Sequence, residues 1–298
     1  MARLPLYGYF RHCLKLQMKL HQKRSLRRIA LPFLKFFNRD ILIDHPWTGD
    51  KFKLALFEHK GYWFYGKNRE RDEMIAFGCL LTPGASVLEV GGHIGFTSLY
   101  FAKLVTPSGK VIVFEPGPNN LEYTRTNTAK VSNVLLEEAG CSDLDGVSVL
   151  YIENLTGQNN SLVSSFDGLT ANAQAAPGVR VKTTPVTIST VKIDTYCEES
   201  TYQPDFIKID VEGHELSVLR GAERVLSSGK PPMLMVEVQA DHKEIIAMLR
   251  NYGYRLFLAN GELLSDSPVE RNENIFALNP VLHQECLEAW LKQLHYSP

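Results

Sequence analysis

Short apolar runs alternate with helix-like segments over residues 86–250, and this alternation is the dominant pattern of the chain. The apolar runs predict strands at 86–90, 110–115, 134–138, 206–210 and 233–237. The segments between them have helical spacing at 95–104, 118–129, 214–226 and 241–251. Because continuous apolar runs are typical of strands buried on both faces, the pattern predicts an α/β fold, a mainly parallel sheet with helices on both faces.

Residues 141–190 interrupt this alternation. Val147–Ile152 reads as a strand, and Val179–Lys182 and Val186–Ile188 alternate as edge strands do. The polar, glycine-bearing segment 157–177 between them is interpreted as a loop or flap.

The two ends of the chain add further elements. Residues 1–40 have apolar positions at helical spacing. Phe52–Phe57 and Tyr62–Tyr65 read as strands on either side of a turn, and 69–81 reads as a helix. After the alternating region, strands at 254–258 and 274–278 precede a helix at 281–295. We therefore divide the chain into a basic helical arm (1–40), a β and helical extension (41–82) and an α/β domain (83–298) with its 141–190 insertion.

Charge is distributed unevenly along the 298 residues. The net charge is −1, yet residues 1–40 hold ten Lys and Arg and one acid, Asp40, so the remainder is acidic. An acidic body repels phosphates, which argues against a nucleic-acid partner. Basic residues beside Phe33 and Phe37 resemble a helix at a membrane interface; the alternative is a helix packed on the domain with its basic face in solvent.

The cysteines and the hydropathy pattern indicate the compartment. Five dispersed cysteines without C-x-x-C spacing argue against a disulfide scaffold and a cysteine zinc site. No apolar run approaches the roughly 20 residues of a membrane span. We therefore expect a cytoplasmic protein, with peripheral membrane contact through residues 1–40 as the further option.

The segment from Glu89 to Gly95, Glu-Val-Gly-Gly-His-Ile-Gly, is the first candidate site. It follows a buried strand and opens a helix, and Gly91 and Gly95 would let a ligand approach bare backbone. Twenty residues beyond Gly95 the next strand ends in Glu115, which is well placed to accept hydrogen bonds from two ribose hydroxyls. Together these features predict the nucleoside-binding half of a doubly wound sheet.

The same loop favours S-adenosylmethionine (SAM) over a dinucleotide. The dinucleotide fingerprint requires G-x-G-x-x-G, and here His93 occupies the position of its second glycine. An acidic residue ahead of the first glycine suits a cationic ligand better than a diphosphate. SAM is such a ligand, with an amino group, a sulfonium and no phosphate.

The second candidate site begins where the fourth parallel strand ends. Asp210, Glu212 and His214 lie at this boundary, and ligands bind at the carboxyl ends of strands in open sheets. Crowded carboxylates raise at least one pKa, and imidazole exchanges protons near neutrality. Glu212 and Glu215 could instead complement a helix N-terminus. The cluster could also hold Mg²⁺, although a metal-free site is favoured.

The sequence resembles the FkbM-type SAM-dependent methyltransferases over roughly residues 60–240. The resemblance rests on the glycine loop, on Gly109–Pro116, on Asn159–Leu162 and above all on the run from Phe206 to Glu215. One departure is His93, where the family usually has Asn. The resemblance implies a class I methyltransferase (Rossmann-like) fold. It also implies methyl transfer to oxygen, often to a hydroxyl of a sugar or a natural product.

The resemblance also assigns roles position by position. Glu89, Gly91 and Gly95 would frame the methionine end of SAM, and Glu115 would hold the ribose. The adenine would lie by three residues after the third strand: Gly140, Cys141 and Ser142. The methyl group, with the small-molecule or glycan acceptor, would be faced by Asp210, Glu212 and His214. We take His214 as the first choice of base, with Asp210 or Glu212 orienting it or binding the acceptor.

Two functions from other classes compete with this interpretation. A nicotinamide-dependent oxidoreductase would share the α/β pattern, but the missing G-x-G-x-x-G speaks against it. A non-catalytic SAM-binding or nucleoside-binding module would share the glycine loop, but it would not need the acidic cluster at 210–215.

Overall fold

A computed structural model of the protein describes residues 31–153, 156–164, 182–238, 242–265 and 272–296. The strands are β1 Asp40–Asp44, β2 Lys51–Ala55, β3 Ser86–Val90, β4 Lys110–Phe114, β5 Val134–Glu137, β6 Gly140–Cys141, β7 Gly146–Glu153, β8 Thr183–Val191, β9 Phe206–Ile209, β10 Met233–Val238, β11 Arg255–Leu258 and β12 Glu273–Leu278. The helices are α1 Lys60–Tyr65, α2 Arg71–Leu80, α3 Phe96–Val105, α4 Pro118–Thr128, α5 Ile193–Ser200, α6 Glu215–Arg220, α7 Glu223–Leu226, α8 His242–Asn251 and α9 Gln284–Tyr296.

The central sheet has seven strands in the order β5-β4-β3-β9-β10-β12-β11. Only β12 runs against the others, since it pairs antiparallel with both β10 and β11. From β3 the chain moves outward to β4 and β5, and β9 lies on the other side of β3. This reversal of strand order opens a crevice at the carboxyl ends of β3 and β9. The predicted mainly parallel α/β fold of a class I methyltransferase is confirmed.

Two hydrophobic cores cover the two faces of this sheet. Alternate residues of a strand point to opposite faces, so Val87 joins the core with Phe101 of α3 and Trp290 of α9. Leu88 joins the other core, with Leu219 of α6. Helices on both faces explain why the central strands are apolar throughout.

The predicted insertion is a small sheet of its own, in the order β6-β8-β7. β7 and β8 form a long antiparallel pair from Gly146–Thr190 to Glu153–Thr183. The expected strands Val147–Ile152 and Val186–Ile188 lie within this pair. Most of the predicted flap, residues 165–177, lies outside the described residues, as does Val179–Val181.

Two element predictions were wrong. Tyr62–Tyr65, predicted as a strand, belongs to helix α1. Its aromatic residues favour strands intrinsically, but packing of Tyr62 against Phe96 and His93 overrides that preference. The predicted helix 214–226 is divided into α6 and α7 around Gly221. A Cβ at Gly221 would lie 2.0 Å from the carbonyl oxygen of Ser142, so this turn packs directly on the insertion.

The N-terminal arm is described only from residue 31, and its predicted helix over 1–30 lies outside the described residues. Residues 31–36 are helical. β1 and β2 follow as an antiparallel hairpin. None of the helices in the described ranges combines the length and the apolar character that a membrane crossing requires.

Candidate active site

A cavity of about 330 Å³ opens at the carboxyl ends of β3, β4, β9 and β10. Six predicted site residues line it: Gly91, Glu115, Gly140, Cys141, Asp210 and Glu212. The other four do not line it: Glu89, Gly95, Ser142 and His214. The two candidate sites of the sequence are therefore one cavity.

Gly91 brings the two halves of this cavity into contact. Its φ is +88°, and a Cβ on it would lie 1.9 Å from the carbonyl oxygen of Asp210. The backbone N–H of Asp210 donates to the carbonyl oxygen of Val90 at 3.0 Å. A glycine is therefore required where the loop after β3 passes the end of β9.

The rest of the glycine loop turns the chain into helix α3. Gly95 is the N-cap of α3 with φ +82°. His93 also has a left-handed φ of +48°. Nδ1 of His93 lies 2.8 Å from the hydroxyl of Tyr62, and Nε2 lies 3.4 Å from the carbonyl oxygen of Thr156. His93, which stands where the family usually has Asn, therefore connects the loop to the extension through Tyr62 and to the insertion through Thr156.

Glu115 is a buried carboxylate that the protein orients from three sides. Oε2 accepts the backbone N–H of His93 at 2.7 Å, and Oε1 accepts the N–H of Gly117 at 2.8 Å and Nδ2 of Asn120 at 3.2 Å. Burial raises the pKa of Glu115 to about 7, although these donors act in the opposite direction. The Gly117 and Asn120 donors occupy both lone-pair sites of Oε1, whereas Oε2 keeps one site that can accept a hydrogen bond from a ribose hydroxyl.

Glu89 lies beneath the loop. Its carboxylate accepts a hydrogen bond of 2.5 Å from the Ser98 hydroxyl on α3, because residue 89 points to the same face as Val87. Burial raises the pKa of Glu89 to about 7, and the charge of Lys208, 3.9 Å away, partly offsets this. Glu89 therefore supports the loop from below.

Lys208 on β9 connects the loop to the acidic cluster. Its Nζ lies 3.0 Å from Oδ2 of Asp210 and 3.4 Å from the carbonyl oxygen of Gly91. Burial alone would lower the pKa of Lys208, but the charges of Asp210 and Glu89 raise it. Burial alone would raise the pKa of Asp210, but Lys208 lowers it. This pair is therefore ionised at neutral pH.

Three carboxylates meet beside this ion pair. Asp210, Glu212 and Glu237 each offer an oxygen, and the three oxygens lie within 4.8 Å of one another. Glu212 has a left-handed φ of +57°, and Gly213 follows with +95°, so the chain turns sharply directly after the cluster. Oxygen ligands of this kind suit Mg²⁺, but the Lys208 ammonium already compensates one side of the cluster.

His214 is directed elsewhere. Its Nε2 lies 3.0 Å from the hydroxyl of Ser142, and neither residue lines the cavity. Burial lowers the pKa of His214, so it is neutral at pH 7. Glu215 accepts the backbone N–H of Gly213 at 2.9 Å, the local structural role expected at a helix N-terminus. The expected base, His214, is therefore not positioned to take a proton inside this cavity.

One wall of the cavity consists of residues that the sequence pattern does not predict. Tyr62, Arg69 and Glu70 of the extension line it. None of these three residues follows a strand of the central sheet. The rule that ligands bind at the carboxyl ends of strands therefore does not predict them as site residues. Polar side chains of the insertion and of α4 also line the cavity: Asn120, Gln158, Asn159 and Asn160. Of these, Asn159 and Asn160 belong to a segment that the family resemblance includes.

The cavity fits SAM by three observations. Its volume lies within the range of ligand pockets. Glu115, the carboxylate that we expect to hold the ribose, lines the cavity. Two buried polar atoms of lining residues, Nε of Arg69 and Oδ1 of Asn120, lack a hydrogen-bond partner. Buried polar atoms without partners are rare, and a polar ligand would satisfy them.

Comparison with known proteins identifies the family. The sequence model described as "Methyltransferase FkbM domain" matches residues 89–256, more than half of the chain. The protein belongs to the FkbM methyltransferase family. Its cofactor is SAM, as the glycine loop predicts.

Curated relatives match part of the chain. Methyltransferase sdnD of Sordaria araneosa is 29% identical over 156 residues, 46% of this chain and 60% of the relative. Hexuronic acid methyltransferase AglP of Haloferax volcanii is 24% identical over 163 residues, 54% of this chain and 59% of the relative. The chain thus spans about three fifths of the length of these relatives.

Solved structures show a more distant likeness. Aeropyrum pernix fibrillarin, in complex with natively bound S-adenosyl-L-methionine, is 12% identical with a TM-score of 0.43, covering 80% of this chain and 89% of that one. A SAM-dependent O-methyltransferase from Thermotoga maritima is 12% identical with a TM-score of 0.39, covering 80% and 76%.

Proposed function

We propose that this protein transfers the methyl group of SAM to a hydroxyl oxygen of a sugar or a small natural product. The observation that carries the proposal is the position of Asp210. Its carbonyl oxygen packs on Gly91 of the cofactor loop, and its carboxylate belongs to a cluster in the same cavity. This position supports Asp210 as the group that accepts a proton from a hydroxyl beside the expected cofactor.

The lining of the cavity supports a polyhydroxyl acceptor. The lining combines carboxylates with the amide side chains of Asn120, Gln158, Asn159 and Asn160. Carboxylates accept and amides both donate and accept, which suits several hydroxyl groups on one molecule. The relative AglP is a hexuronic acid methyltransferase, which agrees with a sugar acceptor here.

The chemistry requires mainly alignment. SAM, when bound, supplies an electrophilic sulfonium methyl group. The residues of the cavity hold the acceptor oxygen in line with it, and alignment of this kind is worth up to ~7–11 kcal/mol. Proton removal by a positioned carboxylate adds typically ~10²–10⁴-fold.

We place this proton transfer on the cluster of Asp210, Glu212 and Glu237 and retain no role for His214 as the base. Lys208 keeps Asp210 ionised, and the two glutamates share the cavity wall with it. A metal-free cluster is part of the proposal, since the ammonium of Lys208 supplies the compensating charge.

The test is methyl transfer from SAM with a deuterated methyl group to the metabolites and glycans of an extract. Mass spectrometry should find a product with three deuterium atoms for the wild type and for His214→Ala. Asp210→Asn should yield about 10²-fold less, at unchanged SAM affinity. Loss of activity in His214→Ala with full activity in Asp210→Asn would return the base to His214. SAM binding without any labelled product would favour a non-catalytic module.

We further propose that the arm, residues 1–40, holds the protein at the cytoplasmic face of a membrane. Phe33, Phe36 and Phe37 are 65%, 82% and 50% exposed. The ring centroid of Phe37 lies 4.7 Å from that of Phe33 and 5.1 Å from that of Phe36. Ten cationic residues lie in the same segment. Exposed aromatic rings beside basic residues suit the interface of anionic lipids.

A further inference from the structure

Arg69 forms part of the cavity wall from outside the segment that the family model matches. It follows the short turn Gly66–Asn68 and precedes helix α2. Its guanidinium lies over the ring of Tyr62, with Cζ 4.3 Å from the ring centroid. Nη2 lies 2.7 Å from Oε1 of Glu70. The stacking and the ion pair fix the guanidinium against the cavity.

This guanidinium has an unsatisfied donor. Nε of Arg69 is buried and has no hydrogen-bond partner. A buried N–H without a partner is costly, and a guanidinium presents its N–H groups as a planar fork. A carboxylate matches this fork with two parallel hydrogen bonds. The geometry therefore calls for an anionic oxygen ligand at Arg69.

The second cation of the cavity is already engaged. Arg69 and Lys208 are the Lys and Arg side chains among the described residues that line the cavity. Lys208 pairs with Asp210 at 3.0 Å and lies 3.9 Å from Glu89. For a carboxylate that enters this cavity, Arg69 is therefore the cation that still has an N–H group without a partner.

We propose that Arg69 binds a carboxylate inside the cavity. Two sources share this chemistry: the α-carboxylate of the methionine part of SAM, and an acid group on the acceptor. The inference rests on the proposed function for the identity of the ligands. Tyr62, which carries the guanidinium, is hydrogen bonded to His93 of the cofactor loop. The subsite is thereby tied to the loop that the cofactor contacts.

The test compares two nucleosides that differ in the amino-acid group. S-adenosylhomocysteine carries the carboxylate, and 5′-methylthioadenosine lacks the amino-acid part. Titration calorimetry with Arg69→Gln should show S-adenosylhomocysteine binding weakened by about 10- to 100-fold, with methylthioadenosine unchanged. Arg69→Lys, which keeps the charge without the fork, should lose less. Arg71→Gln is the matched control, because Arg71 is 52% exposed and pairs with the neighbouring Asp72.

A second titration tests whether the carboxylate belongs to the acceptor. If Arg69→Gln leaves S-adenosylhomocysteine binding unchanged, glucuronate and glucose are titrated into the saturated complex. Preference of the wild type for glucuronate, lost in Arg69→Gln, supports the proposal with the acceptor as source. Absence of that preference, or its persistence in Arg69→Gln, overturns the proposal and leaves the nucleoside site intact. If the wild type binds neither nucleoside, the proposed function fails and this inference fails with it.

Discussion

The ammonium group of Lys208 lies 3.0 Å from Oδ2 of Asp210, in a pair of which the lysine side chain is only 6% exposed. The same ammonium lies 3.4 Å from the carbonyl oxygen of Gly91. One buried charge therefore holds together the loop after β3 and the acidic end of β9. The positions of Gly91 on the cofactor side and of Asp210 on the acceptor side therefore both depend on the ammonium group of Lys208.

Lys208→Met should destabilise the protein strongly. It leaves the buried carboxylate of Glu89 and the partly exposed carboxylate of Asp210 without their cation. Breaking a fully buried pair costs about 3–5 kcal/mol, so the loss here should approach that range. The control is Lys230→Met, since Lys230 lies 2.9 Å from Asp205 but is 76% exposed. An exposed pair contributes about 0–1 kcal/mol. Chemical denaturation measures the unfolding free energy of both variants. Equal losses would show that the Lys208 pair stabilises the protein no more than an exposed pair does.

Gly91→Ala should displace the end of β9. The added Cβ clashes with the carbonyl of Asp210 and also forces alanine into a left-handed conformation. Gly84→Ala separates these effects, because Gly84 has the similar φ of +89° and its nearest atom would lie 3.8 Å from the Cβ. Gly84→Ala should cost about 1–2 kcal/mol of unfolding free energy. Gly91→Ala should cost more and should abolish SAM binding; retained binding would contradict the contact.

Glu115 should make stability depend on pH. Its pKa is raised by burial to about 7 from 4.5, so between these values the folded protein binds more protons than the unfolded chain. This contribution to stability is fully present below about pH 4.5 and is lost as the pH rises through about 7. The unfolding free energy should therefore decline over this pH range, and Glu115→Gln should remove up to about 3 kcal/mol of that decline. Denaturation of both proteins from pH 5 to pH 8 measures it, and parallel curves would contradict the raised pKa.

The residues at strand ends were predictable because the geometry of a parallel sheet brings such ends together. Gly91, Glu115 and Asp210 follow three neighbouring strands, so their convergence needs no knowledge of side-chain direction. The switch point between β3 and β9 then places the ligand. This part of the fold and of the site follows from hydrophobic periodicity alone.

The direction of His214 and the wall from the extension were not predictable in this way. Two successive left-handed residues, Glu212 and Gly213, turn the chain so that His214 reaches Ser142 instead of the cavity. Arg69 reaches the cavity only because α1 replaces the expected strand and presents Tyr62 beneath the guanidinium. Both outcomes depend on tertiary packing, which overrides local propensity.

The arm should bind anionic vesicles. Wild type and a 41–298 protein are compared by co-sedimentation with phosphatidylserine vesicles at low and high salt. The wild type should sediment and be released by salt, because its basic residues interact electrostatically with the lipid. Phe36→Ser should weaken binding, since this ring is 82% exposed. Equal sedimentation of the wild type and the 41–298 protein would contradict the proposal that the arm binds the membrane.

The most direct test of the account is calorimetric titration of the wild type, Glu115→Ala and Glu122→Ala with SAM and with NAD. Glu122 is 69% exposed and pairs with Lys53. It lies on α4, the helix that follows Glu115, and so controls for the loss of a nearby carboxylate. The wild type should bind SAM and not NAD. Glu115→Ala should lose its charge-assisted hydrogen bonding to the ribose, about 1.5–3 kcal/mol per bond, while Glu122→Ala should bind SAM as the wild type does. Saturable NAD binding without SAM binding would contradict the account.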